Sequence, residues 1–211
     1  DNFGFSVDMD GDYAIVAART DDGPSAYIFF NQSGTTLIQQ AKLTASDATA
    51  AEIFGESVSI SGEHAIVGAD QDNDNGSGSA YVFKRSGTTW TQQANLTASD
   101  ATAGDRFGHS VSISGDYAIV GAELDDDGGS NSGSAYIFSR SGTTWTEQAK
   151  LTASDATEGD RFSNRSVSID DEYAIVGALG NSGAAYIFKR SGTTWTQQAK
   201  LTASEVPELT H

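Results

Sequence analysis

Two stretches of this chain place carboxylates at alternate positions ahead of a glycine. They are Asp70-Gln71-Asp72-Asn73-Asp74-Asn75-Gly76 and Glu123-Leu124-Asp125-Asp126-Asp127-Gly128-Gly129. A third stretch, Asp8-Met9-Asp10-Gly11-Asp12, keeps the same alternation. Oxygens spaced this way can converge on one centre, and glycine permits the bend, as in loops that wrap a calcium ion. Asp70, Asp72, Asp74, Glu123, Asp125, Asp127, Asp8, Asp10 and Asp12 are therefore the candidate Ca2+ ligands, and Ca2+ is the one cofactor the sequence suggests. Neither long loop carries the distal bidentate glutamate that completes an EF-hand. A solvated acidic loop is the plain alternative.

Other chemistry is scarce. With no cysteine, neither a disulfide nor a thiolate metal site can form. Three histidines are present. His64 stands where sister segments have tyrosine, His109 follows Phe107-Gly108, and His211 is the last residue. None is paired with a visible nucleophile, so the expectation is a protein that is not an enzyme. The formal net charge of −17 argues against a nucleic-acid footprint, which needs a basic patch. It favours cations or basic partners. No apolar run approaches the roughly 18 residues of a membrane span, so no membrane insertion is expected. Asp1 falls at the repeat position of Asp105, which reads as a processed chain or an excised domain.

These residues sit on a framework that repeats. Ser57–Ala69 and Ser110–Ala122 are near copies, with looser copies at Ser6–Ala18 and Ser166–Ala178. Val7, Val58, Val111 and Val167 mark steps of 51, 53 and 56 residues. Such a period signals an array whose units bury their apolar faces against one another.

Within the third unit, Ser110–Ser114 alternates serine with valine and isoleucine, which predicts a half-buried strand. Tyr117–Ala122 is a continuous apolar run, suited to a strand covered on both faces. Ser114-Gly115-Asp116 predicts a tight hairpin between them. Ser134–Ser139 is a third strand and Thr144–Thr152 a fourth, wetter one. In the fourth, Trp145, Glu147, Ala149 and Leu151 are expected on one side. The periodic Tyr, Phe and Trp positions are expected to fill the space between neighbouring sheets.

Four antiparallel strands per unit, more polar outward, describe a propeller blade. The expected fold is all-β: a β-propeller of four four-stranded antiparallel blades, either a closed four-bladed ring or part of a larger ring or oligomer. The expected blades cover about 1–51, 52–104, 105–159 and 160–204, one domain over 1–204, with a tail at 205–211.

Phe54-Gly55 and Phe107-Gly108, each leading into a Ser-Val-Ser-Ile strand and ending at Val67-Gly68-Ala69 or Val120-Gly121-Ala122, resemble the FG-GAP repeat. That family builds the propeller head of integrin alpha chains and occurs in bacterial surface and secreted proteins; this chain resembles the bacterial form. The fourth copy departs, with Ser163 after Phe162 and one extra residue before Ser166. The resemblance implies an extracellular or cell-surface location and a binding or adhesion role. It also implies a Ca2+ loop between the first and second strands. Here that segment is reduced to Ser61-Gly62-Glu63 and Ser114-Gly115-Asp116, too short and poor in oxygen for a full cage. Only Asp8–Asp12 keeps alternating carboxylates.

In an up-and-down blade, the second-to-third loop and the link to the next blade share a face. The links Asp100–Asp105 and Asp155–Asp160 are acidic too. One strongly acidic face is expected, with Lys84-Arg85 and Lys189-Arg190 at the opposite one. A protein or glycan ligand is the expected partner at the acidic face. A carbohydrate-binding, lectin-like propeller and a self-assembling surface repeat, with homo-oligomers, are the alternatives.

Overall fold

The computed structural model describes residues 2–19, 23–47, 53–71, 76–180 and 183–203. The strands of blade 1 are β1 (Phe3–Asp10), β2 (Tyr13–Ala18), β3 (Ser25–Asn31) and β4 (Leu37–Leu43). Blade 2 holds β5 (Phe54–Ser61), β6 (His64–Ala69), β7 (Ser79–Ser86) and β8 (Thr89–Leu96). Blade 3 holds β9 (Phe107–Ser114), β10 (Tyr117–Ala122), β11 (Ser134–Ser141) and β12 (Thr144–Leu151). Blade 4 holds β13 (Phe162–Asp170), β14 (Tyr173–Ala178), β15 (Ala184–Ser191) and β16 (Thr194–Leu201). Each blade is one sheet with its strands in chain order, every neighbouring pair antiparallel. This is an all-β propeller architecture, and no helix occurs among the described residues.

Sequence dictates each hairpin. Gly115 opens the β9–β10 turn with φ of +55°, a region glycine enters without steric cost. Gly142 does the same between β11 and β12 at +63°.

The core lies between blades. The Phe/Tyr/Trp face of one blade meets the Ile/Ala/Leu face of the blade before it. Phe107, Val111, Ile113, Tyr136, Phe138 and Trp145 pack on Ile66, Val82 and Leu96. Phe107 contacts Tyr136 and Phe138 at ring-centroid distances of 5.5 and 6.0 Å. The other two interfaces repeat this arrangement.

Serines of the innermost strands act between blades as well. Ser57 Oγ accepts the Val111 N–H (3.1 Å), Ser59 Oγ that of Ile113 (3.3 Å) and Ser61 Oγ that of Gly115 (3.3 Å). An innermost strand is a sheet edge with unpaired N–H groups. Hydroxyls of the preceding blade satisfy them, which explains serine at every second position.

The fourth strand differs from the expectation. Ile137 pairs with Ala149 but Phe138 with Glu147, so Gln148 is an extra residue. The bulge reverses the side-chain alternation. Trp145 consequently faces blade 2, whereas Ala149 and Leu151 face blade 4. The expected single side for Trp145 through Leu151 is thus corrected.

Packing passes from β1 to β5 to β9 to β13, without a comparable return from β13 to β1. The blades form an open arc. Phe3, Val7 and Met9 on blade 1 are 56%, 63% and 72% exposed, while their counterparts Phe107, Val111 and Ile113 are buried. Ile175 and Leu201 on blade 4 are exposed in the same way.

Candidate functional site

The Phe-Gly segment (Phe-Ser in blade 4) that opens each inner strand is a bulge. In blade 3, Gly121 pairs with Ser110 and Ala122 with Phe107, leaving Gly108 and His109 outside the ladder. Gly108 has φ of +93° and packs so closely that an added Cβ would lie 2.2 Å from Ser79 O. Bulges re-aim side chains, and here the redirected residue is the one after Phe-Gly. In blades 2, 3 and 4 these are Glu56, His109 and Asn164. Each meets the residue that follows the Gly-Ala (or Ala-Ala) end of the preceding blade: Arg19, Asp70 and Glu123.

Three cross-blade contacts result. Arg19 Nη1 lies 3.0 Å from Glu56 Oε2. His109 Nδ1 lies 3.0 Å from Asp70 Oδ2. Asn164 Nδ2 donates to Glu123 Oε2. The contacts join into one cluster, because His109 Nδ1 is 3.6 Å from Glu56 Oε1 and His109 Nε2 is 3.5 Å from Glu123 Oε1. Arg106 Nη1 adds a bond of 3.1 Å to Glu123 Oε1. Glu56, Asp70, His109 and Glu123 are all buried. Burial, then the Asp70 charge, pushes the Glu56 carboxyl above the usual range, against the opposing pull of Arg19, His109 and Arg165.

A second cluster forms where the blade 3 loop meets the link from blade 2. Lys150 Nζ donates to Asp100 Oδ2 (2.7 Å), Asp125 Oδ2 (2.9 Å) and Asp127 Oδ2 (2.5 Å). The Tyr136 hydroxyl is 2.8 Å from Asp100 Oδ1 and 3.0 Å from Asp125 Oδ2. An ammonium thus sits among three carboxylates. Burial works against both charges. The hydrogen bonds from Lys150 and Tyr136 outweigh it and hold Asp100 below its ordinary value. The carboxylate and phenol partners likewise hold Lys150 above its own.

The structure divides the sequence-predicted ligands. Glu123 turns to the histidine cluster, while Asp125 and Asp127 hold Lys150. Asp70 joins His109; Asp72 and Asp74 lie outside the described residues. Asp8 Oδ2 accepts from Ser59 Oγ (2.8 Å) and Ile60 N (2.9 Å), and Asp10 Oδ2 from Gly62 N (2.6 Å). Both are therefore engaged in holding blade 2, and they do not converge with Asp12 on one centre. The short turns of the other blades do not supply the oxygen set of the family's calcium loop either.

The two faces follow the strand order. The β10–β11 loop and the link from blade 2 share one side, as the Asp100–Lys150–Asp125 contact requires. Arg140 and Arg190 on the opposite side pair with Asp116 and Asp171 of the β9–β10 and β13–β14 turns. The acidic face also carries its own cations, since Lys200 Nζ bonds Asp155 Oδ2 at 2.7 Å.

Sequence reading gave no role to Arg19, Glu56, Arg106 or Lys150, and placed His109 only as the residue after Phe107-Gly108. The available signal was divergence. In near-identical repeats, the residue after Phe-Gly (or Phe-Ser) reads Phe5, Glu56, His109, Asn164, and the residue after the closing alanine reads Arg19, Asp70, Glu123, Leu179.

No curated protein matches the chain at a significant level. Among solved structures, a crystal structure of a protein from Lactobacillus plantarum superposes with a TM-score of 0.63 at 14% identity. The match covers 93% of this chain and 56% of that one, so the present chain spans little more than half of its length. At that identity the likeness concerns the fold. The FG-GAP repeat model matches four times, at residues 1–29, 37–83, 90–138 and 145–188. Its later repeats run from an outermost strand through the first three strands of the next blade, the unit that contains one blade-to-blade interface. With the model matched across most of its length, the chain belongs to the FG-GAP repeat family.

Proposed function

We propose that the chain is a non-catalytic extracellular or cell-surface binding module that engages a protein or glycan through its acidic loop face. The observation carrying this reading is the convergence of the β10–β11 loop and the blade links on one side, where Asp100, Asp125, Asp127 and Asp155 collect. A basic peptide or amino-sugar surface is the complementary chemistry. Any Ca2+ assistance belongs to the Asp70–Gly76 loop. Asn95 there holds the register position opposite Tyr81 that Lys150 holds opposite Tyr136, so the charge supplied by an ammonium in blade 3 is missing. Calorimetry with Ca2+ before and after EDTA, then a glycan array and a panel of basic peptides, tests this. Binding weakened by salt and by Asp127→Asn with Asp155→Asn supports it. A blank array with no peptide binding sinks it.

The self-assembling alternative draws on a different observation. The exposed blade 1 face (Phe3, Val7, Met9) and the exposed blade 4 face (Ile175, Leu201) are the two halves of the interface already formed three times inside the chain. A second copy of this chain could seat them in a head-to-tail contact. Sedimentation velocity is the measure: concentration-dependent association abolished by Met9→Asp or Ile175→Asp supports it, and a strict monomer at high concentration removes it.

A further inference from the structure

We propose that Glu56, Asp70 and His109 form a binding site for a first-row divalent transition cation of the Zn2+ type, built across the interface of blades 2 and 3. This goes beyond the binding-module reading and does not depend on it. One ligand atom from each residue lies within 4.8 Å of the other two. Tetrahedral zinc with bonds of about 2.0–2.2 Å places its ligands about 3.3–3.6 Å apart. The distances from His109 Nδ1 to Asp70 Oδ2 and Glu56 Oε1, 3.0 and 3.6 Å, lie near that spacing.

The second observation concerns an unsatisfied atom. Among the described residues, Asp70 Oδ1 is buried without a hydrogen-bond partner on a residue only 1% exposed, whereas Glu56 Oε2 meets Arg19 and His109 Nε2 faces Glu123. Buried polar atoms are paired in the great majority of cases, so an unpaired carboxylate oxygen within this cluster calls for a ligand. Charge points the same way. Glu56 has Arg19 and Glu123 has Arg106, but among the described residues Asp70 has only the histidine.

The donor set selects the ion. An imidazole nitrogen suits zinc and its neighbours, whereas Ca2+ and Mg2+ take oxygen almost exclusively. The ring's second nitrogen faces Glu123 Oε1 at 3.5 Å, and Arg106 and Asn164 fix that carboxylate. A carboxylate behind a ligating histidine is the usual outer-shell support, setting tautomer and basicity.

Titration of the EDTA-treated chain with ZnCl2 by calorimetry is the test. One Zn2+ per chain is expected, with a rise in melting temperature. His109→Gln and Asp70→Asn should each weaken Zn2+ by about 100-fold or more, since even outer-shell changes cost 10–100-fold. His64→Gln should leave it within about threefold. Co2+ on the unmodified chain supplies a readout independent of folding in the variants, an intense tetrahedral visible band. Absence of both the zinc heat and the cobalt band overturns the proposal, as does zinc affinity unchanged in folded His109→Gln.

Discussion

The Trp145 indole N–H donates to Gln93 Oε1 across the interface of blades 2 and 3, at 2.9 Å. Gln93 is the extra residue of the β7–β8 bulge, where Val82 pairs with Ala94 but Phe83 with Gln92. The bulge turns the amide toward the next blade, and the next blade's tryptophan meets it. Trp90–Gln40 and Trp195–Gln148 repeat the bond at 3.1 and 3.0 Å. The tryptophans are therefore interface anchors, each with its one polar atom satisfied. Trp145→Phe keeps most of the ring area and leaves the amide unpaired, so it should cost about 1–3 kcal/mol. Trp145→Ala should cost about 3–5 kcal/mol. Gln198, the matching bulge residue of blade 4, bonds among the described residues only to Thr196 O within its own strand, and Gln198→Ala should change little. Gln93→Ala should cost about as much as Trp145→Phe, and urea denaturation of the four variants decides this. Equal costs for Gln93→Ala and Gln198→Ala would rule out the interblade bond as the source.

Gly4 and Gly108 offer a matched comparison. Their φ angles are +90° and +93°, but a Cβ on Gly4 meets nothing within 4 Å, whereas on Gly108 it would strike Ser79 O and Ala69 N. Gly4→Ala should cost only the backbone strain, about 1–2 kcal/mol. Gly108→Ala should add the forced separation of blades 2 and 3 and exceed it by at least about 2 kcal/mol. Chemical denaturation of both variants measures the gap. Indistinguishable values would show that the interface yields freely at this point.

The Lys150 cluster predicts both a stability loss and a gain of function. Removing the ammonium leaves Asp125 buried beside Asp100 and Asp127, so Lys150→Met should destabilise by about 2–4 kcal/mol at neutral pH. Asp100 is held below its ordinary value, which stabilises the fold at neutral pH. That contribution is lost as pH falls through the lowered folded value. The acid limb of the wild-type stability profile should therefore be shallower in Lys150→Met. The vacated carboxylates should also accept Ca2+, seen as a Ca2+-dependent rise in melting temperature in the variant alone. An unaltered acid limb would count against the cluster.

Strands and hairpins were readable because their causes are local. Alternating Ser and Val or Ile fixes β9, and Gly115 supplies the turn. Blade packing followed from the periodic Phe, Tyr and Trp. The β12 bulge was hidden, because Gln148 lies in the polar run Thr146-Glu147-Gln148 with no glycine to mark it. The Glu56–Asp70–His109 cluster was hidden for another reason. Its members come from two blades, and each of the three differs from its counterpart in every sister repeat. The acidic loop of blade 3 looked like a cation cradle, and a cation does occupy it. That cation is a lysine 23 residues beyond Asp127, from a strand whose register only the fold defines.

His64 replaces the tyrosine that begins the second strand of the other blades, and the replacement should make stability depend on pH. In two other interfaces, the arginine of the following blade stacks on that tyrosine: Arg85 over Tyr13 at 4.4 Å and Arg190 over Tyr117 at 4.5 Å. In blade 2 the incoming residue is Arg140, and a protonated imidazole would face it as a like charge. Burial, then Arg140 and Lys84, depress the His64 value below its ordinary 6.5. The folded chain therefore keeps His64 neutral where the unfolded chain takes up a proton. Stability from this group is full above pH 6.5 and falls as pH drops toward the lowered folded value, where the loss levels off. His64→Tyr removes the titrating group and restores a ring under Arg140, a contact of about 0.5–1 kcal/mol. The variant should melt higher than wild type at neutral pH, and the difference should widen between pH 6.5 and pH 5. A difference that stays constant across that range would mean the imidazole is already charged in the fold, or does not feel Arg140 at all.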